Sequence, residues 1–116
     1  MPAGSRQKTK WPDPVQVRLS GSGGQGLIRA GIILAAAAVA DGFHVIQTQS
    51  YGPEARGGSS VAEVIIGSDP IDYPHVERAD ILLALTQQAC DKYLSAVSGQ
   101  ALVILDAHLV ETVPET

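Results

Sequence analysis

The residues best suited to chemistry fall in two short stretches. The first is Gly21-Ser22-Gly23-Gly24-Gln25-Gly26, with the spacing G-x-G-x-x-G. In such a turn Gly21 permits a tight reversal of the chain. Gly23 lets backbone approach a phosphate, and Gly26 lets a following helix pack close to the preceding strand. A helix that starts there presents free N–H groups and a partial positive charge to an anion. Three readings stay open: a dinucleotide site, a site for another phosphate-bearing ligand, and glycines that serve close packing only. A dinucleotide site wants Asp or Glu at the end of the second strand, to hold the ribose hydroxyls. Gln49-Ser50 stand there instead, and Asp41 precedes that strand.

The second stretch is Tyr51-Gly52-Pro53-Glu54-Ala55-Arg56-Gly57-Gly58. An arginine among glycines can reach a carboxylate or phosphate and bind it bidentately, with Glu54 to orient it. The plainer reading is a surface Glu–Arg pair in a loop, which contributes little. His44, His75 and His108 share no metal-ligand spacing and read as structural. Cys90, beside Asp91, has nothing near it in sequence to lower its pKa. A single cysteine excludes an internal disulfide and a self-contained cysteine-ligated zinc or iron–sulfur site. The sequence carries no Ser–His–Asp arrangement and no paired-carboxylate pattern.

These stretches need elements to position them. Val15 to Ser20 alternates apolar and polar residues and predicts a strand leading into the glycine turn. Leu27 to Asp41 predicts an alanine-rich helix that stops at Gly42. Arg29 and Asp41 are its only charged residues. A surface helix shows a polar face, so this one is expected to be covered by the sheet on one side and by another subunit on the other. His44 to Gln49 predicts a second strand, Tyr51 to Ser60 a loop, and Ser60 to Ile66 a third strand. Gly67 to Pro74 is turn-rich. Asp80 to Thr86 predicts a strand buried on both faces, Gln87 to Val97 a helix, and Leu102 to Asp106 a final strand. The expected fold is α/β: a Rossmann-like, open, mainly parallel sheet with flanking helices. No closing helix follows the last strand, so the domain, 15–116, is expected to be incomplete at its C-terminus, behind a flexible arm at 1–14.

Bulk properties set limits. The 116 residues suit one domain. Apolar residues make up 45% and charged residues 17%, the balance of a globular chain. A net charge of −4 without a basic stripe argues against nucleic acid as a partner. The apolar run Leu27 to Ala40 is too short to span a bilayer, and residues 1–14 lack a secretory apolar core. The expected compartment is the cytoplasm.

The segments SGSGGQGLIRAGIILAAAA and YGPEARGGSSVAEVIIGSDPIDYPHVERADILLAL together resemble the gamma subunit of 2-oxoacid:ferredoxin oxidoreductases. This group acts on pyruvate, 2-oxoglutarate, 2-oxoisovalerate or indolepyruvate. The resemblance runs from about Val15 to Asp106. Family gamma subunits are longer than this chain. The resemblance implies a subunit of a complex that oxidatively decarboxylates a 2-oxoacid to an acyl-CoA and passes electrons to ferredoxin. It implies partners of alpha and beta type, with a delta subunit as a further candidate. Thiamine diphosphate, Mg and iron–sulfur clusters would sit on those other subunits, with no catalytic residue on this chain. It implies that Gly21, Gly23, Gly24, Gln25 and Gly26 form the turn, and that Tyr51, Arg56, Gly57 and Gly58 form a loop facing the partners or the active site. Coenzyme A, with its pyrophosphate and 3′-phosphate, is the ligand this implies. The alternatives are a free-standing NAD- or FAD-binding module and a purely structural assembly subunit.

Overall fold

The structure is a computed structural model and describes residues 11–23, 25–51 and 59–114. In chain order the elements are β1 (Val15–Ser22), α1 (Leu27–Ala40), β2 (His44–Tyr51), β3 (Ser59–Gly67), β4 (Ala79–Ala84), α2 (Gln87–Tyr93) and β5 (Val97–Leu105). The strands form one open sheet in the order β2-β3-β1-β4-β5.

The α/β class holds, but the sheet is mixed. β1 pairs parallel with β4, and β4 parallel with β5. β3 runs antiparallel to both β1 and β2. The expectation of a mainly parallel sheet fails in that half for a simple reason. A parallel crossover needs a dozen or more residues, and the link between β2 and β3 is too short for one. The two strands therefore pair as a hairpin, from His44 opposite Gly67 to Tyr51 opposite Ser60. β3 folds back into the space between β1 and β2. β1 and β2 still run in the same direction, with α1 crossing between them, but a strand separates them.

Alternation sorts the strand residues onto two faces. On one face Val17, Leu19, Ala62 and Val64 form a buried core with Leu27 and Ala35 of α1. α1 lies against β1, β2 and β3 through Leu27, Gly31, Ala35 and Ala38, the four buried residues of the helix. Gly31 makes the close approach possible, since a Cβ there would sit 3.0 Å from the Cβ of Ala62. On the other face Ile65, Leu82 and Ala84 pack with Ala89, Cys90 and Leu94 of the α2 region. This face also holds a buried cation. Arg18 donates from Nε to Glu63 Oε2 at 2.9 Å and from Nη2 to the Val76 carbonyl at 2.7 Å. Its guanidinium lies 4.7 Å from the centre of the Tyr93 ring. Pairing and hydrogen bonding of this kind are what permit an arginine to be buried.

Two further expectations change. α2 ends at Tyr93, not Val97, because Val97 already pairs with Ala79 as the start of β5. β4 is buried on the α2 face but only half-buried at Ile81 and Leu83, because α1 does not reach across it. Residues 1–10 of the predicted arm lie outside the described residues; at its end Asp13 accepts the Ser68 N–H at 3.0 Å, and a Cβ on Gly67 would meet Pro14 at 3.2 Å. That contact holds the Asp13 carboxyl below its ordinary pKa.

Candidate functional site

The glycine turn joins the end of β1 to the start of α1. Its glycines differ in what they do. A Cβ on Gly21 would lie 2.9 Å from Leu27 Cδ1, 3.2 Å from Leu85 Cβ and even closer to Gln25 Oε1. Gly21 is therefore a packing glycine. Gly26 has φ +79°, in the left-handed region, and a Cβ there would meet nothing within 4 Å. The helix-packing role expected for Gly26 belongs to Gly31 instead, and Gly26 serves backbone conformation.

Gln25 braces the turn from inside. Its Oε1 accepts the Ser22 N–H at 2.8 Å, and its Nε2 donates to the Leu85 carbonyl at 3.4 Å. Leu85 N–H in turn donates to the Ser20 carbonyl at 2.9 Å. The exits of β1 and β4 are thus laced together at the point where the chain turns one way into α1 and the other way into α2. Open α/β sheets place their ligands at such a point, beyond the carboxyl ends of the parallel strands.

The start of α1 is left open. Its N-cap is Gly26, which offers no side chain, and its first turn contains no acid. The first helical hydrogen bond runs from Ala30 N–H to the Gly26 carbonyl at 2.9 Å. The N–H groups of Leu27, Ile28 and Arg29 have no acceptor among the described residues, as expected of an uncapped helix. In front of them lies a shallow hollow of about 330 Å³, lined by Gly23, Gly26, Leu27, Ile28, Arg29, Tyr51 and Ser60. β3 enters and β2 leaves the sheet at this same edge, which brings Tyr51 and Ser60 to it. Tyr51 is 67% exposed and Ser60 is buried.

The structure therefore brings Gly23, Gly26 and Tyr51 to one hollow and sets Gly21 and Gln25 behind it. Gly24, Arg56, Gly57 and Gly58, with Glu54, lie outside the described residues. Arg29 and Ser60 were not singled out from sequence. Arg29 could have been: it is a cation in the first turn of a helix, where the dipole favours acids. Ser60 gave no signal, since its burial depends on the register that sets it opposite Gly21.

The second strand ends without an acid, at Gln49, Ser50 and Tyr51. β3 separates β2 from β1, so the end of β2 is two strand spacings, about 10 Å, from the turn. Among the described residues no group of three or more His, Cys, Asp or Glu converges to hold a metal ion. Cys90 is fully buried in α2. Burial, and then the Asp91 charge, push its thiol pKa up, away from a reactive thiolate. No helix among the described residues is long and apolar enough to cross a membrane.

The outer side of α1 is apolar. Ile32, Ile33 and Val39 are 50%, 61% and 60% exposed. The polar face typical of a solvent-facing helix is missing there.

The family described as "Pyruvate ferredoxin/flavodoxin oxidoreductase" matches residues 16–115. The chain is 54% identical over 98 residues to the 2-oxoglutarate synthase subunit KorC of Methanocaldococcus jannaschii, covering 84% of this chain and 52% of that one. It is 50% identical to the KorC subunit of Archaeoglobus fulgidus, over 85% of this chain and 53% of that one. The crystal structure of the gamma subunit of a keto/oxoacid ferredoxin oxidoreductase from Geobacter sulfurreducens superposes with a TM-score of 0.75 at 47% identity. It covers 89% of this chain and 56% of that one. The chain thus spans about half the length of the curated relatives it matches.

Proposed function

The chain belongs to the pyruvate ferredoxin/flavodoxin oxidoreductase family, and from that membership we propose that it works as the gamma-type component of a 2-oxoacid:ferredoxin oxidoreductase. Within such a complex it supports CoA-dependent oxidative decarboxylation of a 2-oxoacid to an acyl-CoA. The observation that carries this reading is the identity of 54% with a KorC subunit over most of this chain. The same observation favours 2-oxoglutarate as the 2-oxoacid. Alpha- and beta-type subunits are the partners, with ferredoxin as the electron acceptor of the whole complex.

The chain's own residues support a non-catalytic role. A lone, buried cysteine does not fit an iron–sulfur cluster, which takes a set of thiolates. The clusters, thiamine diphosphate and Mg are assigned to other subunits. What this chain offers is the turn, with Gly21, Gly23, Gly24, Gln25 and Gly26, and the segment with Tyr51, Arg56, Gly57 and Gly58. We assign these to the path of coenzyme A. The open start of α1 and the missing ribose-reading acid favour a phosphate-bearing ligand other than NAD or FAD.

A second reading, a purely structural assembly subunit, draws on the exposed apolar side of α1. Both readings are tested by reconstitution. Co-expression with matching alpha and beta subunits is expected to yield a complex that reduces a viologen dye with 2-oxoglutarate and CoA. Equal activity with this chain left out contradicts an essential role. Arg56→Ala is expected to raise the apparent KM for CoA without preventing assembly. Weaker assembly at an unchanged KM would favour the structural reading.

A further inference from the structure

The two faces of the β4–β5 half of the sheet are covered unequally. The α2 region packs on one face. On the other, α1 lies against β1, β2 and β3 and leaves β4 and β5 bare. There Ile81 and Leu83 of β4 are half-buried, and their register partners on β5, Leu102 and Ile104, are 46% and 47% exposed. Parallel strands are ordinarily covered on both faces. The result is an apolar trough beside α1 whose floor, these four side chains, carries no charge. A further parallel strand beyond β5, joined by the same right-handed crossover as β4–α2–β5, would carry its helix to the α2 face again. Extending the sheet in that way does not fill the trough.

α1 has the complementary shape. Opposite its buried stripe of Leu27, Gly31, Ala35 and Ala38 stand Arg29, Ile33, Ala36 and Ala40, all exposed. Ile33 is the large apolar side chain of this ridge, at 61% exposure, and the alanines beside it let a second surface come close. A helix that is apolar on every side is a buried helix. One molecule thus carries a free apolar ridge and a free apolar trough, side by side on the same face of its sheet.

We propose that two copies of this chain pair face to face, with α1 of each seated in the trough of the other. A two-fold axis parallel to the strands and above β1 does this, and gives three layers: sheet, the two α1 helices side by side, sheet. The charges favour this orientation. α1 starts at the carboxyl ends of β1, β4 and β5 and runs back to their amino ends. Its charged residues stand at its two ends, Arg29 in the first turn and Asp41 at the C-cap. The axis brings Arg29 to the carboxyl end of the partner's β5, which Asp106 follows, and Asp41 to the amino end of the partner's β4, which Arg78 precedes. Arg29 and Asp41 are about 18 Å apart along the helix. Arg78 and Leu85, the residue level with Asp106, are about 23 Å apart along a strand. Arginine side chains reach across that difference. The reverse orientation would set Arg29 against Arg78 and Asp41 against Asp106. These pairs lie at the rim and set orientation more than strength. The inference goes beyond the proposed function: the complex would hold paired copies of this chain, and alpha- and beta-type subunits would bind the paired form at the sheet ends and edges it leaves free.

Size exclusion with light scattering on the full chain, at about 100 µM, tests this. The wild-type chain is expected at twice the monomer mass. Leu102→Lys and Ile33→Glu are each expected at the monomer mass, a weakening of at least about tenfold. Both residues are exposed in the single copy, so far-UV circular dichroism is expected to stay unchanged. The two variants mixed are expected to form a heterodimer, because one ridge–trough contact is then intact and the other sets Glu against Lys. Asp41→Lys is expected to weaken pairing about fivefold, and Arg78→Glu in the same chain to restore it. A wild-type chain that stays monomeric overturns the proposal. So does a dimer that survives both Leu102→Lys and Ile33→Glu, or a mixture of the two variants that stays monomeric. A monomeric chain whose Leu102→Lys variant no longer co-purifies with the alpha and beta subunits also overturns it, and gives the trough to one of those subunits.

Discussion

α1 and α2 start at the same end of the sheet, one after β1 and the other after β4, and they start in opposite ways. α2 is closed by its own sequence. Thr86 accepts the Ala89 N–H at 3.1 Å, and Lys92 stands in the last turn, where a cation suits the dipole. α1 has a glycine in the left-handed conformation as its N-cap, no acid in its first turn, and Arg29 where a cation is disfavoured. The two turns are tied to each other through Gln25 and Leu85. The difference teaches where the fold is self-sufficient and where it keeps donors free. α2 is a packing element. α1 packs by its Gly31–Ala35 stripe, and the N–H groups of its first turn have no acceptor among the described residues.

The largest expected effect comes from Gly21→Ala. A Cβ there collides with Gln25 and Leu27, and overpacking costs about 1–3 kcal/mol. Denaturant unfolding should show that loss, and Gln25→Ala should relieve part of it in the double variant. Gly26→Ala tests the other glycine. Its Cβ meets nothing, so only the positive φ is penalised, at about 1–2 kcal/mol. Gly26→Asn should cost clearly less, because Asn tolerates this region. A cost for Gly26→Asn as large as for Gly26→Ala would mean that Gly26 packs after all.

Thr86→Ala removes the α2 cap and should cost about 1 kcal/mol, measured by the same unfolding. No comparable substitution exists for α1, which has no capping side chain to lose. A smaller effect on stability is more diagnostic. Arg29→Glu gives α1 the acid it lacks and should stabilise the free chain by about 0.3–1 kcal/mol at low salt, while it abolishes phosphate binding. Destabilisation by Arg29→Glu would break the comparison, since Arg29 would then be held by a structural contact. Ile33→Lys, on the exposed side of α1, should change stability by less than about 0.5 kcal/mol. It should nevertheless prevent co-purification with the alpha and beta subunits. Unchanged co-purification would separate this face from the assembly.

Much of this was legible in the residues. Alternation and the glycine turn located β1, and the alanine-rich run located α1 to within a residue of its observed end. Strand direction was not legible from the strand–helix pattern alone, because only the length of the β2–β3 link carries it. β2 is rich in polar residues, and Gln49 and Ser50 are exposed because it is an edge strand. The end of α2 was hidden by Leu94 and Val97, apolar residues that continue a helical pattern while the chain enters β5. In the site, the motif marked the turn but not the division of labour among its glycines, which depends on neighbours distant in sequence such as Leu85. Ser60 was invisible because its burial arises from pairing with Gly21 across the sheet. Arg18 and Glu63 likewise meet only through that register.

The contrast between the two helix starts is tested most directly by amide chemical shifts of the isotopically labelled chain, recorded as pyrophosphate is added. The account predicts that the largest changes fall on Leu27, Ile28, Arg29 and Ser60, with Gly26 beside them, and that Gln87 to Cys90 stay in place. Changes centred on the start of α2, or shifts at α1 that persist unaltered in Arg29→Glu, would contradict it.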